Sequence, residues 1–185
     1  MKKLVRITTV PISLSKLLSG QLLNFKKYFE IIAVSSPGDV LNKVGSEAKV
    51  RTYSLILTRA ITPLTDIISL IKFTFFLRKE KPLIVHSHTP KAGIVSMLAA
   101  FLARVPIRMH TVAGLPLTEA KGFKKRVLVF VEKLTYATAT NVYPNSFGLK
   151  DYILQNKLCS ESKLKVIGSG SSNGIDTDYF SIANM

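Results

Sequence analysis

Cysteine occurs once in the 185 residues, as Cys159. No internal disulfide is therefore available, which suits a reducing compartment, and near a helix end this thiol reads as inert. Acidic side chains are scarce as well. Eleven Asp and Glu stand against 26 Lys and Arg, and the formal charge of +15 calls for an anionic partner: nucleic acid, anionic lipid or a phosphorylated substrate. No apolar run reaches the roughly 18 residues of a membrane span. The nearest, residues 67–77, contains Lys72, and residues 94–103 have only the length of a buried helix. Two lysines precede apolar residues at the N-terminus, but Arg6, Thr8, Thr9, Pro11 and Lys16 interrupt any export-signal core, so this segment reads as a first strand with a cytosolic start.

Glycine-rich nucleotide motifs are missing too. Neither GxGxxG nor GxxxxGKS/T occurs, which disfavours a dinucleotide or Walker-type site. There is no RNP-like aromatic motif, zinc-finger spacing or basic arm, so nucleic acid is not the expected partner. The cations fall instead in short clusters, Lys26-Lys27, Arg78-Lys79-Lys81 and Lys121-Lys124-Lys125-Arg126, interleaved with apolar helices. Such a surface points to an anionic membrane face, with a merely solvated basic surface as the alternative.

What is present is alternation. With 47% hydrophobic and 20% charged residues, the length fits one domain or one half of a two-lobed protein. Strand-like segments at 3–10, 29–35, 50–57, 82–88, 107–112, 140–144 and 163–167 are separated by helical ones at 15–28, 39–44, 63–78, 89–103, 122–137 and 147–156. This order predicts a Rossmann-like, doubly wound α/β domain with a mostly parallel seven-stranded sheet over residues 1–168. Residues 169–185 lose periodicity and gather glycine and serine, as the start of an interdomain linker would.

The organising stretch is residues 82–117, strand, helix, strand. Thr89 followed by Pro90 opens the helix and Pro106 closes it. Ligands bind at the carboxyl ends of parallel strands, so the three histidines of the chain, His86, His88 and His110, are expected to converge on one rim. Thr89 would cap a helix whose positive end faces that rim. Lys91 would then either meet a bound phosphate or diphosphate, with His88 as a further donor, or swing into solvent. His110 either contacts a ligand, with Ala113-Gly114 letting backbone approach closely, or is a satisfied structural histidine. Gly20 is either a glycine that approaches an anion or a packing residue. Arg59 and Arg108 are further candidates for phosphate contact. His86-x-His88 lacks carboxylate or thiolate companions for a metal, and Asp176-x-Asp178 lies in the terminal segment and reads as incidental.

As written, HTPKAGIVSMLAAFLARVPIRMHTVAGLPL, together with YPNS and IGSGSSNGIDTDYF, resembles bacterial family 4 glycosyltransferases, more narrowly those that extend lipid-linked sugars in capsule or O-antigen assembly. The resemblance implies a GT-B architecture of two Rossmann-like lobes. The N-terminal lobe takes a polyprenyl-diphosphate-linked sugar acceptor, and the C-terminal lobe takes a nucleotide-sugar donor. It also implies retention of configuration without a metal or other cofactor, in a protein cytoplasmic and peripheral to the inner face of the membrane. His110 matches a histidine that contacts the donor sugar, and the segment around Gly20 one that nears the donor diphosphate. His88, Thr89, Lys91 and Gly114 complete the expected substrate contacts. Asn173-Gly174-Ile175-Asp176 with Phe180 would mark the crossing into the second lobe, which the chain does not contain. The family's paired glutamates with seven residues between them do not occur, so the chain alone is expected not to turn over. The competing readings are a non-catalytic module for a phosphorylated ligand or partner, and a sugar-nucleotide epimerase on the same fold.

Overall fold

Apolar segments of four to six residues pair into one sheet in the computed structural model, which describes residues 1–171 and 181. The chain runs β1 (Lys3–Ile7), α1 (Pro11–Leu17), α2 (Ser19–Phe25), β2 (Glu30–Ser35), α3 (Asp39–Ala48), β3 (Arg51–Ser54), α4 (Pro63–Glu80), β4 (Ile84–Ser87), α5 (Pro90–Leu102), β5 (Ile107–Val112), α6 (Gly122–Thr138), β6 (Asn141–Pro144) and α7 (Phe147–Gln155). All strand pairs are parallel, in the order β3-β2-β1-β4-β5-β6. The strand order reverses between β1 and β4, and such a switch point opens a crevice at the carboxyl ends of the two strands.

Side chains alternate across the sheet, so each face acquires its own core. Val5, Ile7, Ile32, Val34, Val85 and Val142 pack with Phe73 and Leu77 of α4, Val95 and Met97 of α5, Tyr136 of α6 and Ile153 of α7. Leu4, Ile31 and Ala33 pack with Leu14, Leu22, Leu41 and Val44 from α1, α2 and α3. Proline and left-handed residues cut the helices to length. Pro63 and Pro90 sit in the first turns of α4 and α5. Lys81 (φ 50°) and Arg104 (φ 57°) end those helices, each followed closely by a proline.

Two expectations change. The helix expected over 15–28 starts earlier and breaks at Leu18 (φ −124°, ψ −1°) into α1 and α2. The seventh strand reduces to a single parallel bridge, Val142 to Leu164, so the sheet has six strands. Only Leu164 of that segment enters the core, while Lys165 and Ile167 are exposed. Lys163 turns away to donate to the carbonyls of Tyr136, Ala137 and Ala139 at 3.2, 3.0 and 2.9 Å, closing the carboxyl end of α6. Asn173-Gly174-Ile175-Asp176, Asp178 and Phe180 lie outside the described residues.

Candidate functional site

The crevice between β1 and β4 is closed at its base by two threonines from opposite sides of the switch point. The Thr9 N–H donates to Thr89 Oγ1 at 2.9 Å, and the two hydroxyls lie 2.7 Å apart. Thr9 Oγ1 in turn accepts from the Ala92 N–H at 3.3 Å. Thr89 is therefore the N-cap residue by position, but its own side chain makes no cap bond, and the hydroxyl satisfying α5 comes from 83 residues away. This clasp joins the loop after β1 to the first turn of α5.

The histidines do not converge. Arg6 pairs with His86 and Ser87 pairs with His110 across the sheet, so alternation sends His86 and His88 to one face and His110 to the other. The His86 and His88 rings stand 4.1 Å apart, and His86 Nε2 meets Thr111 Oγ1 at 2.8 Å. His88 is 7% exposed, and its Nε2 has no partner. Burial, followed by neighbouring charge, holds both imidazoles well below the ordinary histidine range, so both are neutral at pH 7.

His110 is 3% exposed on the opposite face, with Nδ1 2.7 Å from Ser87 Oγ and its ring 6.0 Å from that of Tyr136. Burial lowers it to about 4. The imidazole is enclosed beneath the β4–α5 corner, against Ser87, Gly93 and Tyr136, on the face away from His86 and His88. On this face Ser96 Oγ is buried without a partner, and burial pushes the Glu132 carboxyl up while the Tyr136 hydroxyl beside it acts in the opposite direction.

The remaining candidates sort by position. Lys91 neither swings into solvent nor stands free for a phosphate: Nζ forms an ion pair with Asp66 Oδ2 in the first turn of α4. This partner lies 25 residues away, beyond any local pattern. Gly20 falls inside α2, exposed, with nothing within 4 Å of a Cβ built on it. Its neighbour Gln21 accepts from Arg6. Gly114 is exposed just beyond β5, with open space around it and no left-handed φ. Arg108 lies near the amino end of β5, away from the crevice, donating to Thr138 O at 2.6 Å and Val105 O at 2.7 Å with its guanidinium over Phe101. Arg59 is exposed in the β3–α4 loop. Among the described residues no three His, Cys, Asp or Glu side chains gather as metal ligands. Burial raises the Cys159 thiol, in keeping with an inert residue.

One buried charge escaped the sequence reading. Arg6, in the middle of β1, is 1% exposed on the His86 face, donates Nη2 to Gln21 Oε1 and lies over the Phe25 ring at 5.2 Å. The available signal was a cation inside an otherwise apolar strand, LVRI.

Comparison with known proteins supplies the frame for this geometry. The profile of the glycosyl transferase 4-like domain family matches residues 30–170. The chain is 39% identical over 184 residues to the Staphylococcus aureus capsular polysaccharide biosynthesis glycosyltransferase CapM, covering 99% of the chain and 47% of that protein. It is 33% identical over 128 residues to the Escherichia coli UDP-Gal:alpha-D-GlcNAc-diphosphoundecaprenol alpha-1,3-galactosyltransferase, covering 69% of the chain and 32% of that protein. The chain thus spans less than half the length of either relative. Among solved structures, a glycosyltransferase from Rickettsia africae superposes with a TM-score of 0.64 at 17% identity, over 100% of this chain and 46% of that one. The UDP-GlcNAc 2-epimerase of Neisseria meningitidis bound to UDP-GlcNAc gives 0.63 at 20% identity, over 91% and 46%. At these identities the structural likeness concerns the fold.

Proposed function

The chain belongs to the glycosyl transferase 4-like family, and on that premise we propose that it is the acceptor-side lobe of a retaining GT-B glycosyltransferase acting in surface polysaccharide synthesis. The donor is a nucleotide-sugar held by a second lobe. The acceptor is a polyprenyl-diphosphate-linked saccharide, in line with the diphosphoundecaprenol substrate in the name of the E. coli relative. No metal takes part. The observation carrying this reading is the switch-point crevice, where Thr9, His88, Thr89 and Gly114 follow the carboxyl ends of β1, β4 and β5. Thr89 and His88 line the acceptor side, and His110 supports the corner beneath them.

The partner surface on this reading is the inner face of an anionic membrane. No helix among the described residues is long and apolar enough to cross a bilayer. Yet α4 leaves Leu64, Ile67, Ile68, Ile71 and Phe75 at least half exposed along one stripe, with Arg59, Lys72 and Lys79 exposed beside it. Its two carboxylates, Asp66 and Glu80, are already paired with Lys91, Lys3 and Arg51. An apolar stripe with unbalanced cations suits an anionic lipid surface, and the Asp66–Lys91 pair puts its first turn beside the crevice.

Equilibrium binding to the 185-residue chain tests the assignment. A short-chain polyprenyl-diphosphate-linked N-acetylglucosamine in detergent is expected to bind, and Thr89→Val to weaken it. Tight binding of a UDP-sugar with none of the lipid-linked sugar would overturn the acceptor-side reading. An epimerised sugar nucleotide as the product of incubation would replace it with the epimerase.

A further inference from the structure

Arg6 is a buried guanidinium with no counter-charge. It forms no ion pair among the described residues. Its two contacts, Gln21 and Phe25, are uncharged, and its Nε has no partner. Taking a charge out of water is expensive unless an opposite charge or a full set of hydrogen bonds offsets it. A second orphan stands on the same face. His88 is over nine-tenths buried with Nε2 unpartnered, and its ring lies against that of His86, the register partner of Arg6. Buried polar atoms in native proteins are nearly always satisfied, so two in one neighbourhood, both nitrogens and both facing no acceptor, point to a missing acceptor.

The sheet beside them is partly uncovered. Helices α1, α2 and α3 cover this face over β1 and β2, while α4, α5, α6 and α7 pack on the opposite face. Beyond β4 no described helix covers the His86 side, where His86 and Tyr143 are half-buried with ring centroids 6.2 Å apart and Asn141 is exposed.

We propose that Arg6 and His88 form a buried oxyanion site where the cover of α2 ends, on the His86 face of the sheet beside the crevice, taking a phosphate or carboxylate carried by a substrate. Arg6 supplies the charge and a planar fork of donors, and His88 a single donor from Nε2 in the tautomer that carries its proton there. The site rests on the acceptor-side reading, in which a diphosphate or an acidic sugar brings the anion. It replaces Lys91, whose charge Asp66 already holds.

Thermal unfolding of the 185-residue chain tests this with inorganic phosphate, pyrophosphate and glucuronate, each against sodium chloride of equal ionic strength, and with glucose as a neutral control. At least one anion is expected to raise the midpoint and glucose is not, since a ligand bound only by the folded state stabilises it. Whether the phosphates or glucuronate act at the lower concentration identifies the carrier. Arg6→Met is expected to melt above wild type in chloride, an apolar side chain replacing an unpaired buried charge, and to lose the anion response. His88→Ala is expected to raise the half-saturating anion concentration about fivefold or more. A wild-type midpoint that no anion moves, or an Arg6→Met chain that keeps the full response, overturns the site. Should Arg6→Met not fold, the 15Nε resonance of Arg6 in the wild-type chain decides: a saturable shift with the anion supports the site and an unmoved resonance overturns it. Binding of the lipid-linked acceptor without any response at Arg6 would remove this site and leave the acceptor-side reading standing.

Discussion

Gly93, in the first turn of α5, lies against the imidazole of His110 so closely that a Cβ on it would stand 2.6 Å from the ring Cε1. The ring cannot retreat, being buried and held by Ser87. Alanine ordinarily gains up to about 1 kcal/mol over glycine within a helix. Here overpacking outweighs that gain, and Gly93→Ala is expected to destabilise the fold by about 1–3 kcal/mol. His110→Ala would relieve the clash, so the double variant should be clearly more stable than the sum of the single losses implies. Urea unfolding of the four proteins measures this, and strict additivity would refute the contact.

Acid should weaken the protein early. Burial lowers His110 to about 4 and holds His86 and His88 well below 6.5. The unfolded chain protonates these groups near pH 6.5 while the folded chain does not, so it binds more protons below that value and stability falls as the pH drops from 6.5 towards 4. Each histidine contributes at most about 1.4 kcal/mol per pH unit. Urea midpoints at pH 7 and pH 5 should differ accordingly, and His110→Gln should flatten the dependence. Equal midpoints would show that these rings are not desolvated.

The Lys91–Asp66 pair is partly buried, its side chains 12% and 22% exposed. Asp66→Asn leaves the ammonium without its counter-ion and is expected to cost about 1–3 kcal/mol. Lys91→Met combined with Asp66→Asn should recover much of this. Neither change should alter the response to phosphate, because the anion site belongs to Arg6. Loss of that response in Lys91→Met would return the phosphate to the lysine.

Tryptophan is absent from the chain, so a single one reports its own surroundings. Ile71→Trp on the outer face of α4 is expected to shift to the blue with vesicles containing anionic phosphatidylglycerol. It should respond weakly to phosphatidylcholine alone, and less at high salt. Phe130→Trp, on the exposed side of α6, should stay unshifted. A shift at position 130 and none at 71 would move the membrane face off α4.

Much of the architecture was legible because its signals are local. The strand-helix alternation, the prolines opening α4 and α5, and the cap position of Thr89 are each written within a few neighbouring residues. The seventh strand failed because apolar spacing at 163–167 says nothing about whether a sheet edge is there to receive it. The helix after β1 starts at Pro11, earlier than its periodicity suggested, and breaks at Leu18, a break that local spacing does not announce, so Gly20 falls inside α2.

By itself the sequence determined a strongly basic, parallel α/β domain of the glycosyl transferase 4-like family. Tertiary structure alone decided which groups meet. Register set Ser87 opposite His110, and a period of two then divided the three histidines between the faces. Contacts over 25, 80 and 83 residues tied Lys91 to Asp66 and Thr9 to Thr89 and Ala92. Burial without a carboxylate set Arg6 apart among the described cations. Periodicity is a property of neighbours in the chain, whereas desolvation and pairing depend on what the finished fold places beside each group.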